Sequence, residues 1–171
     1  MQITKIDNSI HDRNKFDCNE PALNNYLKQT SGQHDKKDLS RTYVLTSEQS
    51  PNQIKGFYSL SLCKVQLHEL PESIAKKYPN ELYCALISRL AVHKTLQRQG
   101  IGSLLLIDAI KESVTSNIPV PMIVIDAKNK IAFDIYKKFG FIEFPNNSNR
   151  LYMTTKNAKA TLVEAGVLKD D

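Results

Sequence analysis

The spacing of apolar residues along the chain predicts seven strands. Residues 41–47 and 54–67 alternate between apolar and polar positions and are separated by a turn at residues 50–53, as in a hairpin. Residues 83–92 and 118–127 are nearly continuous apolar runs, which are typical of central strands buried on both faces. The remaining strands are predicted at one edge of the sheet and near the C-terminus, at residues 2–6, 141–144 and 150–155.

Apolar residues three and four positions apart predict four helices between these strands. The helices cover residues 16–30, Gly100–Ser116, 129–141 and Asn157–Val167. Asp17 or Asn19 is expected to cap the first of them, whose first turn contains Pro21. Asn129 is expected to cap the third, and Gly140 suits the position just beyond its C-terminal end.

The order of these elements predicts the fold class. Residues 31–41 form either a second short helix or a mobile loop, and residues 70–82 form a surface excursion with one helical turn. Helical crossovers between buried strands then predict an α/β fold with a mixed sheet. The length of 171 residues is typical of one domain, so residues 1–171 are expected to form a single domain.

Composition narrows the classes of function. No apolar run reaches 18 residues and no secretory leader is present, so we expect a cytoplasmic protein without a membrane span. Three scattered cysteines favour buried thiols over disulfides, and neither they nor the four histidines have the spacing of metal ligands, so no metal is expected. A net charge of +5 is compatible with simple solubility or with a polyanionic partner.

The segment Gln97–Gly102, with the sequence QRQGIG, follows a buried strand and opens a helix. It lacks the lysine of a Walker loop, and Leu105 stands where a dinucleotide-binding loop has its third glycine. It meets the pattern Q/R-x-x-G-x-G/A, in which glycines let the backbone approach a pyrophosphate. Taken alone, the same glycines also suit a helix start that packs tightly.

Two motifs together resemble the GNAT family of N-acetyltransferases. The first is Ser88–Leu106, SRLAVHKTLQRQGIGSLLL, and the second is Asn129–Phe141, NKIAFDIYKKFGF, with the family's N-x-x-A-x-x-x-Y-x-K-x-G-F pattern. The resemblance implies the GNAT fold, which is a mixed, mostly antiparallel central sheet flanked by helices. It also implies acetyl-coenzyme A (acetyl-CoA) as cosubstrate, in the cleft after the fourth strand.

A narrower resemblance covers nearly the whole chain. FDCNEPALNNYL near the start, SRTYVL, GFYSLSL and SRLAV are similar to the GNAT toxins of bacterial toxin–antitoxin pairs. That resemblance implies acetylation of the amino acid on charged tRNA, which stops translation, with a ribbon–helix–helix antitoxin as partner and a homodimer as the assembly. The alternatives are a GNAT enzyme acting on a small-molecule or protein amine and a non-catalytic module that binds acyl-CoA.

The resemblance also assigns residues to the cofactor. The strand residues Leu90, Ala91 and Val92 would pair with the pantetheine arm, and a backbone N–H there would polarise the thioester carbonyl. The remaining cofactor contacts are assigned to the loop and to the start of the later helix, at Arg98, Gln99, Gly100, Gly102, Ser103 and Asn129. For Asn129, an ordinary helix cap is an equally compatible role.

Tyr136 is the catalytic residue that the resemblance implies, as the acid that protonates the departing thiolate. Periodicity alone would favour a half-buried aromatic packing residue. No general base stands out, and His68 and His93 are more often structural. An α-amine on a charged tRNA has a pKa near 7.7–8.0 or lower, so it would need little help from a base.

Basic residues are the candidates for contact with tRNA phosphates. They are Lys28, Lys36, Lys37, Arg41 and Arg89. Lysines on helix faces are usually only solvated, and support of the fold is an alternative for both arginines.

Overall fold

The computed structural model describes residues 1–170, and its strands lie in one seven-stranded sheet. The order across the sheet is β1-β2-β3-β4-β5-β7-β6. The strands are β1 (Gln2–Lys5), β2 (Arg41–Thr46), β3 (Gly56–Val65), β4 (Leu82–Val92), β5 (Met122–Asp126), β6 (Ile142–Phe144) and β7 (Asn147–Thr154). β4 and β5 run parallel, whereas β1–β2, β2–β3, β5–β7 and β6–β7 are antiparallel. The mixed, mostly antiparallel sheet is therefore confirmed, with β1 at an edge as predicted.

All helices but the last lie between strands of the sheet. They are α1 (Pro21–Asn25), α2 (Ser31–Lys36), α3 (Glu72–Ala75), α4 (Ile101–Val114), α5 (Lys130–Lys138) and α6 (Thr155–Glu164). A π-helical segment, Tyr26–Thr30, continues α1 into α2, so the polar stretch after residue 30 begins as a short helix. At the start of α2, the buried Ser31 hydroxyl donates a hydrogen bond to the Leu27 carbonyl at 2.7 Å, so the buried hydroxyl has a hydrogen-bond partner.

The predicted cap of α1 is wrong. Pro21 is the first helical residue, as expected, but Glu20 precedes it without a side-chain cap. Asn19 has a left-handed backbone with φ of +67°, and the Asp17 carboxylate accepts hydrogen bonds from the Asn19 N–H and the Asn24 amide. Asp17 therefore stabilises the turn before α1 instead of capping the helix.

Two predictions about buried strands need correction. β4 is buried at residues 82, 84, 85, 87 and 91, but Tyr83 is 61% exposed and residues 88–90 are half-buried. The apolar run beginning at Ile118 contributes only its second half to β5, and Ile118 itself is 71% exposed. Pro119 and Pro121 explain the shorter strand, because proline has no N–H to donate to a neighbouring strand.

The chain divides into two compact units, and each has its own apolar core. The first unit is Met1–Ser61 with Ser88–Ala109, and aromatic residues such as Phe16, Tyr26 and Phe57 fill its core. The second unit is Leu62–Ile87 with Ile110–Asp171, and its core includes Cys84, Val124 and Tyr152. Within residues 1–170, no helix has the length and apolar character needed to cross a membrane.

Candidate active site

The glycine-containing loop between β4 and α4 has an unusual backbone. It begins with a 3-10 turn, Lys94–Leu96, and the His93 imidazole caps this turn by accepting from the Thr95 N–H at 3.3 Å. Arg98 and Gly100 then have left-handed backbone angles, with φ of +60° and +81°. A non-glycine residue rarely adopts such an angle, so the loop needs support from its surroundings.

The start of α4 is open to an anionic ligand. A Cβ built on Gly100 would meet no atom within 4 Å, and one on Gly102 would meet the Val92 side chain at an ordinary 3.8 Å. Tight packing therefore does not require either glycine. The first N–H groups of a helix lack helical acceptors and favour negative charge, so the geometry suits a pyrophosphate. The structure brings together the predicted loop residues Arg98, Gln99, Gly100, Gly102 and Ser103 at this point.

The end of β4 leads directly into this loop. Ala91 is buried in the first core, whereas Leu90 and Val92 are half-buried. The Val92 carbonyl accepts a hydrogen bond from the Gln97 amide at 3.1 Å. The three predicted pantetheine-binding residues therefore lie on one strand end, which the loop itself helps to hold in place.

Tyr136 lies in the second unit, on α5, and is only 8% exposed. Burial raises the pKa of its phenol to about 12, so the hydroxyl carries its proton throughout the physiological range. The Tyr136 ring packs against Phe141, with 6.2 Å between ring centroids. Tyr136 is thus both a packing residue and a group able to donate a proton.

The C-terminal end of α5 fixes this position of Tyr136. Gly140 has a left-handed φ of +100°, and its N–H donates to the Lys137 carbonyl at 3.0 Å. The Phe141 N–H donates to the Tyr136 carbonyl at 3.1 Å. This pair of bonds is a Schellman motif, which ends the helix and turns Phe141 back onto Tyr136. At the other end, Asn129 caps α5 by accepting from the Ala132 N–H at 2.9 Å, as predicted.

The basic residues Lys36, Lys37 and Arg41, at and after the end of α2, lie close to carboxylates that the sequence analysis did not consider. The Arg41 guanidinium contacts Asp35 at 3.5 Å and hydrogen bonds to Asp38, and these groups raise its pKa. Lys5 also pairs with Asp35, at 3.5 Å. The charge of Arg41 is therefore largely compensated, which favours its alternative role in supporting the fold. Lys36 and Lys37 are exposed nearby in the chain, and Lys28 is half-buried in the π-helical segment.

Arg89, on β4, has a different environment. Its guanidinium lies over the ring of the buried Tyr26, 4.4 Å from the ring centroid, and donates one long hydrogen bond to the Ser88 carbonyl. The described residues place no carboxylate within 4 Å of it. A half-buried guanidinium with unused donors on an aromatic platform is a suitable receptor for a phosphate or carboxylate.

Two supports of the loop were missed by sequence reasoning. Lys94 pairs with Asp17 at 2.8 Å, and the Gln97 amide donates to the Cys18 carbonyl at 3.0 Å. Nothing in the sequence indicates these contacts, because the paired residues are separated by 77 positions in the first contact and by 79 in the second. His93, one of the weighed base candidates, contributes its ring to the turn cap and so has a structural role.

Comparisons with known proteins agree with this geometry. Residues 75–153 match a family model described as an acetyltransferase (GNAT) domain. A tRNA-acetylating toxin of Mycobacterium tuberculosis is 29% identical over 88% of this chain and 90% of its own length. A probable toxin TacT of Sinorhizobium fredii is 25% identical over 88% and 89% of the two lengths.

Solved structures are similar over almost the entire chain. A tyrosine-to-phenylalanine mutant of KacT has a TM-score of 0.86 at 28% identity, covering 93% of this chain and 97% of that one. AtaT in complex with acetyl-methionyl-tRNAfMet has a TM-score of 0.84 at 28% identity, with the same coverage. AtaTR bound with acetyl-CoA has a TM-score of 0.76 at 26% identity, covering 93% and 96%. The two motifs, the strand order and these matches together show that the chain contains a GNAT acetyltransferase domain, which the family model matches over residues 75–153.

Proposed function

We propose that this chain is a toxin that transfers the acetyl group of acetyl-CoA to the α-amine of an aminoacyl-tRNA and thereby blocks translation. The observation that carries the proposal is the likeness, over 93% of the chain, to AtaT solved with acetyl-methionyl-tRNAfMet. The tRNA-acetylating toxin of M. tuberculosis supports the same substrate. Residues 1–171 would act as one acetyltransferase domain in the cytoplasm, where charged tRNA is found.

The start of α4 would hold the cosubstrate. Backbone N–H groups from Arg98 to Ser103 would bind the pyrophosphate, and the open space at Gly100 leaves room for it. Leu90, Ala91 and Val92 would pair with the amides of the pantetheine arm as an added strand does. Asn129 would contact the coenzyme in addition to capping α5.

Tyr136 would act as the general acid. The α-amine attacks the acetyl carbon, the carbon–sulfur bond breaks, and the Tyr136 hydroxyl gives its proton to the departing thiolate. The attacking nitrogen loses a proton to solvent as the amide forms, and a proton from solvent restores the Tyr136 hydroxyl. Its raised pKa, about 12, keeps that proton available at any physiological pH. Esterification lowers the pKa of an α-amine below the value of about 7.7–8.0 for a free one, so a substantial fraction is uncharged near neutral pH and no strong base is required of the protein.

Phosphate contacts of the acceptor stem would involve the basic residues of the first unit. Arg89 is the strongest candidate, because its guanidinium has unused donors and rests on Tyr26. The exposed Lys36 and Lys37 and the half-buried Lys28 would add contacts that depend on salt. Arg41 would contribute less, since Asp35 and Asp38 already compensate its charge.

The partners follow from the same proposal. A toxin of this kind must be held inactive in the cell that makes it, and the resemblance to toxin–antitoxin pairs favours a ribbon–helix–helix antitoxin. The same resemblance favours a homodimer. Both assignments can be checked by co-purification with the neighbouring gene product and by light scattering.

Transfer of labelled acetyl groups tests the proposal. The purified chain is incubated with labelled acetyl-CoA and, in separate reactions, charged tRNA, deacylated tRNA, free amino acids and an unrelated protein. We expect label on charged tRNA alone, with Tyr136→Phe reducing the rate by about 10²-fold or more. Label on free amines or on protein, with charged tRNA unlabelled, would contradict the substrate and favour the alternative acetyltransferase.

A further inference from the structure

The segment Asp17–Asn24, before and within α1, is attached to the loop that opens α4. The Lys94 backbone N–H donates to the Asp17 carbonyl at 2.8 Å, and the Lys94 ammonium pairs with the Asp17 carboxylate, also at 2.8 Å. The Gln97 amide bridges the Cys18 carbonyl at 3.0 Å and the Val92 carbonyl at 3.1 Å. The side chains of Lys94 and Gln97 therefore connect the loop to two other backbone segments, the one at Asp17 and Cys18 and the end of β4 at Val92.

Asp17 is itself held in position within its own segment. One carboxylate oxygen accepts from the Asn19 N–H at 2.9 Å and from the Asn24 amide at 3.0 Å, while the other faces Lys94. The side-chain Oδ1 of Asn24 in turn accepts from the Cys18 N–H at 3.0 Å. The Lys94 ammonium and the two other donors hold the pKa of Asp17 well below its usual range, so the carboxylate stays charged at physiological pH.

The loop has few internal bonds to maintain its shape. Within it, Leu96 donates to the His93 carbonyl at 2.8 Å, and the Gln99 amide donates to the Thr95 carbonyl at 3.3 Å. The left-handed residue Arg98 lies between the two residues joined by the Gln99–Thr95 bond, Gly100 lies beyond it, and both are exposed. A strained, exposed turn persists only when its surroundings fix it, and the contacts of Asp17 and Gln97 fix the residues just before it.

We infer that Asp17 and Gln97 are positioning residues for the cosubstrate, which hold the loop in the conformation that binds the pyrophosphate of acetyl-CoA. The motif FDCNEPALN, which at first pointed to the tRNA substrate, thereby acquires a role on the cofactor side of the reaction. Preorganisation of a binding loop raises affinity because the ordering cost is met before the ligand arrives. The inference rests on the proposed function only for the identity of the ligand.

Asp17→Asn tests the inference with little change of shape. The asparagine oxygen can still accept from Asn19 and Asn24, but an amide NH₂ replaces the oxygen that faces Lys94. We expect the Kd for acetyl-CoA, measured by titration calorimetry, to rise roughly fivefold to tenfold. In steady-state kinetics the KM for acetyl-CoA should rise by a similar factor with kcat nearly unchanged. Gln97→Ala, at an exposed position, should have the same effect.

Glu81→Gln is the matched control. The Lys64–Glu81 pair, at 3.1 Å, has side chains 48% and 38% exposed, against 47% and 39% for Lys94–Asp17. Glu81 also accepts hydrogen bonds from two further side chains, Gln66 and Tyr83. This control should leave the Kd for acetyl-CoA unchanged while costing similar thermal stability.

Two results would overturn the inference. If Asp17→Asn binds acetyl-CoA as tightly as the wild type, the ion pair does not position the loop, and tighter binding would indicate instead that the released Lys94 contacts the coenzyme directly. If Glu81→Gln weakens binding equally, the effect is one of general stability. Because the titration uses acetyl-CoA alone, it decides the role of Asp17 even if charged tRNA proves not to be the acceptor.

Discussion

Burial sets the chemistry of Tyr136 at the scale of single residues. A tyrosine in water loses its proton near pH 10, but the apolar surroundings of Tyr136 raise its pKa to about 12. The raised value makes the phenol a weaker acid than a solvated tyrosine and leaves it protonated under all working conditions. In the proposed mechanism, Tyr136 would therefore contribute a fixed position and a proton that is always present.

This pKa leads to a pH prediction. As pH rises, kcat should increase while the substrate α-amine loses its proton, and it should then remain level to about pH 10.5, because the Tyr136 hydroxyl is still protonated there. The measurement needs an amide-linked aminoacyl-tRNA, which resists hydrolysis in base. A fall in kcat with an apparent pKa near 10 would show that Tyr136 is solvated during catalysis.

Gly100 supports a second prediction at this scale. Its φ of +81° is costly for any residue with a Cβ, although the space around it is open. Gly100→Ala should lower the free energy of unfolding by about 1 kcal/mol and raise the KM for acetyl-CoA by about tenfold or more. Gly166→Ala is the matched control, because Gly166 has φ of +70° and equally open space but lies after α6. It should share the stability loss and leave KM unchanged.

At the scale of elements, the pattern of apolar residues predicted every strand and the main helices. The pattern gave wrong bounds or burial where a local feature, such as a proline, overrode the apolar periodicity. Prolines removed the first half of the run beginning at Ile118 from β5, and most of the half-buried residues of β4 lie in its second half, towards the loop. The π-helical segment Tyr26–Thr30 could not be predicted, because its extra residue per turn depends on tertiary packing.

The end of α5 offers a prediction that links an element to catalysis. Gly140→Ala introduces a Cβ at φ of +100°, which strains the Schellman motif that packs Phe141 onto Tyr136. We expect a loss of about 1 kcal/mol in unfolding free energy and a severalfold lower kcat, with the KM for acetyl-CoA little changed. Gly166→Ala again serves as control, since it ends α6 in the same way. Equal kcat values for the two variants would show that this turn does not position Tyr136.

At the scale of the whole molecule, the net charge is less informative about tRNA binding than the partners of the individual basic side chains. The net charge of +5 and the basic clusters were visible in the sequence, but the partners of the arginines were not. Folding placed Asp35 and Asp38 against Arg41, whereas Arg89 came to rest on Tyr26. The motifs predicted the cofactor loop and the role of Tyr136, but the contacts of Asp17 and Gln97 depend on residues distant in sequence and required the structure.

The two arginines should therefore differ in their effect on tRNA. Arg89→Gln should weaken binding of charged tRNA and reduce the slope of log Kd against log salt by about 0.7–0.9, the loss of one phosphate contact. Arg41→Gln should change that slope less, because its carboxylate partners already compensate its charge. Filter binding at several salt concentrations gives both slopes, and a larger change for Arg41→Gln would reverse the assignment.

The most direct test of the account is the chemical identity of the product. Charged tRNA is incubated with acetyl-CoA and the wild-type chain, digested with nuclease, and the terminal aminoacyl-adenosine is examined by mass spectrometry. The account predicts an acetyl group on the α-amine of the amino acid, formed by the wild type and nearly absent with Tyr136→Phe. An unmodified aminoacyl-adenosine, or an acetyl group on the nucleoside instead, would contradict the proposed function.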